Sequence, residues 1–339
     1  MIWFKFGLCF TTILLAGTKL AKYGDAIAEK TGLGRMWIGL VLLAAITTMP
    51  ELVTSVSSVA LVHSADLALG TLLGSCCFNL SLLALLDILH RRTPVLSEAS
   101  PRHVITAGWG ALLIAIAGAS MIAGGRLSSL AFGRVGIPSI VIVILYLLGM
   151  WWMFRQDRSQ RLHAASVTSP RYDKFTGRTV CIRFALAAAA VIVASILLSR
   201  VGNEISETTG WGSTFVGTLF MAVATSAPEL VVAITALRMR ALDLAVADIL
   251  GANMLNIAFI VAVDLAQGQG FILSSLSPVS QSGHVIVASM AVAMSLVVII
   301  GLRFRQGHKL LGVLSWYAPV LIALYVFGAY RLFTSSAGL

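Results

Sequence analysis

The sequence predicts an all-α integral membrane protein of about ten transmembrane helices, arranged as two inverted five-helix repeats. Three observations predict it. The 339 residues are 58% hydrophobic and only 11% charged, where a soluble domain carries about a quarter charged residues. Apolar runs of the roughly 17–25 residues that a bilayer demands recur about ten times. Two segments far apart in the chain also carry nearly the same phrase: Thr47-Thr48-Met49-Pro50-Glu51-Leu52-Val53 and Thr225-Ser226-Ala227-Pro228-Glu229-Leu230-Val231.

The expected spans are 3–21, 36–62, 67–89, 104–125 and 135–154 in the first half, then 180–199, 213–237, 243–266, 284–302 and 312–333 in the second. All are expected as helices, because lipid offers no hydrogen-bond partner to an open strand edge. The first follows Lys5 and has the look of a secretory leader. No cleavage site follows it and it belongs to the repeat, so it is expected to remain as a spanning helix. The second and seventh carry the Pro-Glu phrase in mid-span. The third and eighth open on Asp66 and Asp243, where a carboxylate suits a helix N-terminus, and both are expected as caps. Asp87 and Asp264 recur near the ends of the same two helices, where a capping or interfacial role is expected.

The duplication is legible residue by residue. At an offset of 178, Thr47, Pro50, Glu51, Leu52 and Val53 recur as Thr225, Pro228, Glu229, Leu230 and Val231, and at 177 Asp66, Gly74, Asn79 and Asp87 recur as Asp243, Gly251, Asn256 and Asp264. Five spans per copy is odd, so the second copy enters the membrane from the opposite side. Residues 1–154 and 180–339 form the two repeats, and the polar segment 155–179 tethers them. Inverted repeats with a midplane site at their interface are an architecture of secondary transporters.

The net charge of +10 is topological rather than a sign of nucleic-acid binding. Of 24 Lys and Arg, 19 fall on the side of the membrane that holds the 155–179 segment. The positive-inside rule makes that side cytoplasmic and puts both termini outside, in the cell membrane. The four cysteines lie in or beside apolar spans and imply small buried side chains rather than a disulfide framework. The six histidines have no transition-metal spacing and are expected as ordinary interfacial residues. No Ser/His/Asp or metal–His constellation marks an enzyme, and no cofactor motif is present.

An ionisable group in mid-membrane is costly and marks an ion path. Thr47 and Glu51, like Thr225 and Glu229, are four apart and share a helix face. Pro50 and Pro228 have no N–H and disrupt the preceding turn, freeing carbonyls near Ile46 and Ala224. Each broken helix therefore offers carboxylate, hydroxyl and carbonyl oxygens, the ligands of hard cations such as Ca2+ or Na+. In the next helix, Ser75 and Asn79 share a face, and Asn256 answers Asn79; these side chains either line the site or join helices. Asp248 is either a peripheral ligand or pathway acid, or a salt-bridged helix-end residue. Two carboxylates ~5 Å apart at an effective dielectric of ~20 repel by ~3 kcal/mol, so an empty pair favours uptake of a cation, and one divalent ion neutralises both.

These phrases resemble the cation/calcium antiporter superfamily, particularly its sodium/calcium exchanger branch. The likeness is carried by the paired segments Ala44 to Asn79 and Ala222 to Asn256. It implies that Glu51 and Glu229 coordinate Ca2+, with oxygens from Thr47 and Thr225. It further implies flanking Na+ positions served by the carbonyls of Ala44 and Ala222 and by Thr48, Ser226 and Ser75, with Asn79 and Asn256 lining the centre. The chain departs from the family phrase at Ile46 and Ala224 (glycine is usual), Cys76 (asparagine), Ala252 (serine) and Asn256 (often aspartate). The implied activity is Ca2+/Na+ antiport by alternating access, with Ca2+, Na+ and lipid as partners. The alternatives are an exchanger of Ca2+ or another cation coupled to H+ or K+, and a non-transporting membrane sensor that retains the site.

Overall fold

The computed structural model describes residues 1–31, 43–91, 93–124, 131–161, 177–267, 271–305, 307, 309 and 314–336. The described residues are helical almost throughout. The first repeat comprises α1 (Ile2–Thr31), α2 (Ala44–Thr47), α3 (Met49–Ala60), α4 (Ala65–Leu89), α5 (Val95–Glu98), α6 (His103–Ala123) and α7 (Ile137–Arg161). A two-stranded antiparallel ribbon, β1 (Ala131–Phe132) and β2 (Val135–Gly136), turns at Gly133 just before α7. The second repeat comprises α8 (Gly177–Thr209), α9 (Ser213–Val216), a π-helical turn Gly217–Met221, α10 (Ala222–Thr225), α11 (Ala227–Arg238), α12 (Leu242–Ala258), α13 (Ile260–Gln267), α14 (Pro278–Arg303) and α15 (Tyr317–Ser336).

Among the described residues, eight helices are long and apolar enough to cross a membrane. The pair Ser213–Thr225 and Ala227–Arg238, bent by 45°, makes a ninth span. Residues 36–42 of the expected second span lie outside the described residues, as do 162–176 of the tether and the opening residues of the tenth span.

Two boundaries differ from expectation. α1 and α8 run to Thr31 and Thr209 rather than stopping near residues 21 and 199. At 1.5 Å per residue such helices reach about 45–50 Å, beyond the ~30 Å hydrocarbon layer, so their polar ends continue as helix outside it. Glu204, in the extended end of α8, pairs with Lys5 at the start of α1 at 2.8 Å.

The repeats interlock rather than sit side by side. α1 packs along α8, so the first helices of the two copies meet. α4 packs against the π-helical turn of the other copy, α12 against α2, and α4 and α12 against each other. Glycine allows the first approach: a Cβ at Gly74 would lie 2.4 Å from the Thr218 carbonyl oxygen, and one at Gly217 would lie 2.9 Å from that of Leu67. The spans containing α4 and α12 are 72% and 78% buried, whereas α1, α7, α8 and α15 are only 22–28% buried. The outer helices turn residues such as Leu8, Leu147, Leu186 and Phe327 outward, as lipid contact requires.

The repeat acids tie helices together instead of capping their own. Ser64 caps α4 by accepting from the Leu67 N–H at 3.3 Å. Asp66 instead meets the buried His284 of α14 at 3.0 Å, and its counterpart Asp243 meets His103 of α6 at 3.1 Å. These two histidines are thus structural partners rather than ordinary interfacial residues. Asp87 accepts from the Val95 N–H at 3.0 Å and Asp264 from the Ile272 N–H at 2.8 Å; in both copies the acid holds the chain eight residues on. Cys9, Cys76 and Cys77 are buried and free, but Cys181 is exposed near the start of α8, contrary to expectation, because that helix lies on the outside of the bundle.

Candidate functional site

Both Pro-Glu phrases break their helices. Thr48 and Ser226 leave helical geometry (φ −83°, ψ 2° and φ −82°, ψ 12°), and each proline then occupies the first turn of the following segment, α3 or α11. Without an N–H, Pro50 and Pro228 give nothing to the carbonyls four residues earlier. The π-helical turn before α10 is a further distortion that the sequence did not announce; such turns gather at functional sites.

The breaks face each other across the repeat interface, and each glutamate reaches hydroxyls of the other copy. Glu51 Oε1 accepts from Ser226 Oγ at 2.7 Å and from Ser75 Oγ at 3.3 Å, with the Thr225 hydroxyl also beside it. Glu229 Oε1 lies 3.3 Å from Thr48 Oγ1, with Thr47 beside it. Ser75 Oγ and Thr225 Oγ1 are 3.5 Å apart. All of these side chains are buried. Glu51 Oε2 and Glu229 Oε2 have no hydrogen-bond partner, and the two carboxylates are near enough to repel. A buried, unpaired charge of this kind requires compensation.

The remaining expected residues fall into three groups. The carbonyls of Ala44 and Ala222 sit at the breaks but already accept local donors: Ala44 from Thr48 Oγ1 at 2.5 Å and Thr47 Oγ1 at 3.2 Å, Ala222 from Thr225 Oγ1 at 3.3 Å. Asn79 turns to Asn253, donating to its Oδ1 at 3.1 Å, while Asn253 donates to the Cys76 carbonyl at 3.1 Å. Asn253 is thus a cross-repeat partner that sequence reasoning missed, although it stands inside the repeated Gly-x-x-x-x-Asn signature. Asn256 is buried with both amide atoms unpartnered. Asp248 is fully buried in mid-helix and has no ion pair, so the salt-bridged helix-end alternative fails. Among the described residues, no three His, Cys, Asp or Glu side chains converge to hold a metal. A cation here would rest on two carboxylates completed by neutral oxygens, a donor set that suits Ca2+ or Na+.

Broken helices that meet at the interface of inverted repeats, with buried carboxylates at the breaks, define a secondary transporter of cations. The sequence model of the sodium/calcium exchanger protein family matches residues 1–169 and 179–334, and the chain belongs to that family. It is therefore a multi-pass membrane antiporter of the cation/Ca2+ class, not an enzyme. It is 26% identical over 268 residues to the inner membrane protein YrbG of Escherichia coli (strain K12), covering 76% of this chain and 79% of that protein. Its fold is similar to that of native YfkE, with a TM-score of 0.64 at 20% identity over 97% of this chain and 91% of the other. It is equally similar to the sodium-calcium exchanger NCX_Mj soaked with 10 mM Na+ and zero Ca2+, with a TM-score of 0.64 at 18% identity over 98% of this chain and 100% of the other.

Proposed function

We propose that the protein exchanges Ca2+ for Na+ by alternating access across the cell membrane. One observation carries this reading: Glu51 and Glu229, buried at matched helix breaks, each bond across the repeat interface and each keep one oxygen unpartnered. In this reading Glu51 and Glu229 hold Ca2+ with oxygens of Thr47 and Thr225. Na+ is taken by flanking positions at Thr48, Ser226, Ser75 and the Ala44 and Ala222 carbonyls, and Asn79 and Asn256 line the centre. The empty pair repels, so the carrier favours a loaded state. Ca2+ and Na+ compete for one set of oxygens, which couples their movements in opposite directions. The likeness to NCX_Mj supports Na+ as the coupling ion. Residues 1–154 and 180–339 act as the two moving halves, with 155–179 as a cytoplasmic tether.

The test is ⁴⁵Ca2+ uptake into proteoliposomes loaded with Na+, K+ or acid. Uptake driven by an outward Na+ gradient alone is expected. Uptake that follows only a pH or K+ gradient would replace the coupling ion, and no uptake under any gradient would leave the sensor reading.

A further inference from the structure

The proposed Ca2+ and Na+ sites leave one membrane-embedded acid of the second repeat unused. Asp248 lies on α12, is fully buried, and neither carboxylate oxygen has a hydrogen-bond partner. It is near enough to interact electrostatically with both Glu51 and Glu229, yet no three acids converge on one metal among the described residues. Asp248 is therefore beside the glutamate pair but offset from it. Its repeat counterpart is Thr71, whose hydroxyl is satisfied by donation to the Leu67 carbonyl at 2.7 Å, so the extra charge belongs to one half only.

Other unpaired oxygens lie on the same helix and on the element packed against it. About two turns further along α12, Asn256 also has an unpartnered carbonyl oxygen. α12 packs on Ala44–Thr47, where the Ile46 carbonyl has lost the donor that Pro50 cannot supply. A divalent ion at the glutamates balances two charges and leaves the third. An uncompensated carboxylate at this depth is expensive.

The geometry points to Asp248 as a separate monovalent-cation subsite: it holds one Na+ beside the Glu51–Glu229 pair, offset along α12, and is not part of the Ca2+ site. This rests on the exchange reading above. The subsite predicts that Ca2+–Ca2+ exchange, which needs only the glutamates, is independent of Asp248, whereas Na+-driven Ca2+ movement depends on it.

Purified full-length protein and its Asp248→Asn variant are reconstituted, and two fluxes are measured. ⁴⁵Ca2+–Ca2+ exchange without Na+ is expected to stay within about twofold of wild type. Half-saturating Na+ for Ca2+ efflux is expected to rise about tenfold or more, as loss of a unit charge a few ångströms from the ion requires, with a shallower Na+ dependence. An unchanged Na+ curve, or equal loss of both fluxes, overturns the subsite. Wild-type protein that fails at Ca2+–Ca2+ exchange instead overturns the exchange reading itself. A readout free of mutants is dicyclohexylcarbodiimide modification of wild type, mapped by mass spectrometry. Na+ is expected to protect Asp248, and modification indifferent to Na+ counts against it.

Discussion

Thr48 shows how a single side chain prepares the site. Its hydroxyl has one proton, and two acceptors lie in reach: the Ala44 carbonyl at 2.5 Å and Glu229 Oε1 at 3.3 Å. One proton serves both, so the longer tie to Glu229 across the interface is the weaker of the two. Ser226 is different, for its 2.7 Å contact to Glu51 Oε1 is a donation that fixes the carboxylate. Removing a hydrogen bond to a charged group costs about 1.5–3 kcal/mol. Ser226→Ala should therefore weaken Ca2+ affinity about tenfold or more, read as a rightward shift of the ⁴⁵Ca2+ uptake curve with protein yield unchanged. Glu51→Gln and Glu229→Gln each remove a unit charge within ~3 Å of the ion and should lower uptake by about a hundredfold or more. Uptake within a factor of a few of wild type in either variant would remove the glutamates from the site.

The two breaks work because neighbouring helices hold them open. α4 lies so close to the π-helical turn that no side chain fits between, and Gly74→Ala would drive a methyl to 2.4 Å from the Thr218 oxygen and 2.6 Å from its Cα. Backbone must move, at a cost of about 1–3 kcal/mol. Gly108 of α6 has no atom within 4 Å of its added Cβ, and alanine there should stabilise the helix by up to about 1 kcal/mol. Thermal melts in one detergent should thus move in opposite directions for these two glycine-to-alanine changes, and a shared direction would refute the packing account. At this scale the sequence was partly legible. The prolines announced the breaks, because a missing N–H is a property of the residue itself. The π-helical turn at Gly217–Met221 was not foreseen, since nothing in Gly-Thr-Leu-Phe-Met forbids an ordinary helix; it lies where the chain packs against α4. Asp66 and Asp243 were misread as caps for a related reason. A first-turn acid is a reasonable cap until a histidine from a helix distant in sequence, His284 or His103, is known to stand beside it.

Over the whole molecule, duplication made the site legible before any coordinates. One Pro-Glu phrase is ambiguous, but two at an offset of 178 residues and of five spans, an odd number, must approach from opposite sides of the membrane and can meet only in the middle. What duplication could not supply was the pairing across the interface, Glu51 to Ser226 and Glu229 to Thr48, because a repeat says which residues are equivalent and not which ones touch. The same logic gives a test of the architecture that needs no transport assay. Cysteines buried in the bundle, Cys9, Cys76 and Cys77, should be silent to a membrane-impermeant maleimide, and the exposed Cys181 can be replaced by serine. In that background Ser166→Cys, within the basic tether, should label only when the cytoplasmic face is exposed, as in inverted vesicles. Ser335→Cys, exposed near the end of α15, should label from outside in intact cells. Lys and Arg resist transfer across the inner face, which sets the orientation, whereas the count of five spans between these two positions sets their relation. The two outcomes therefore separate: exchanging the faces of both labels would reverse only the orientation, but labelling of both positions from one face would mean an even number of crossings in the second half. Were the missing crossing the one between Ser166 and Glu229, Glu51 and Glu229 would lie on parallel rather than inverted helices, and the cross-repeat bonds that build the site could not form.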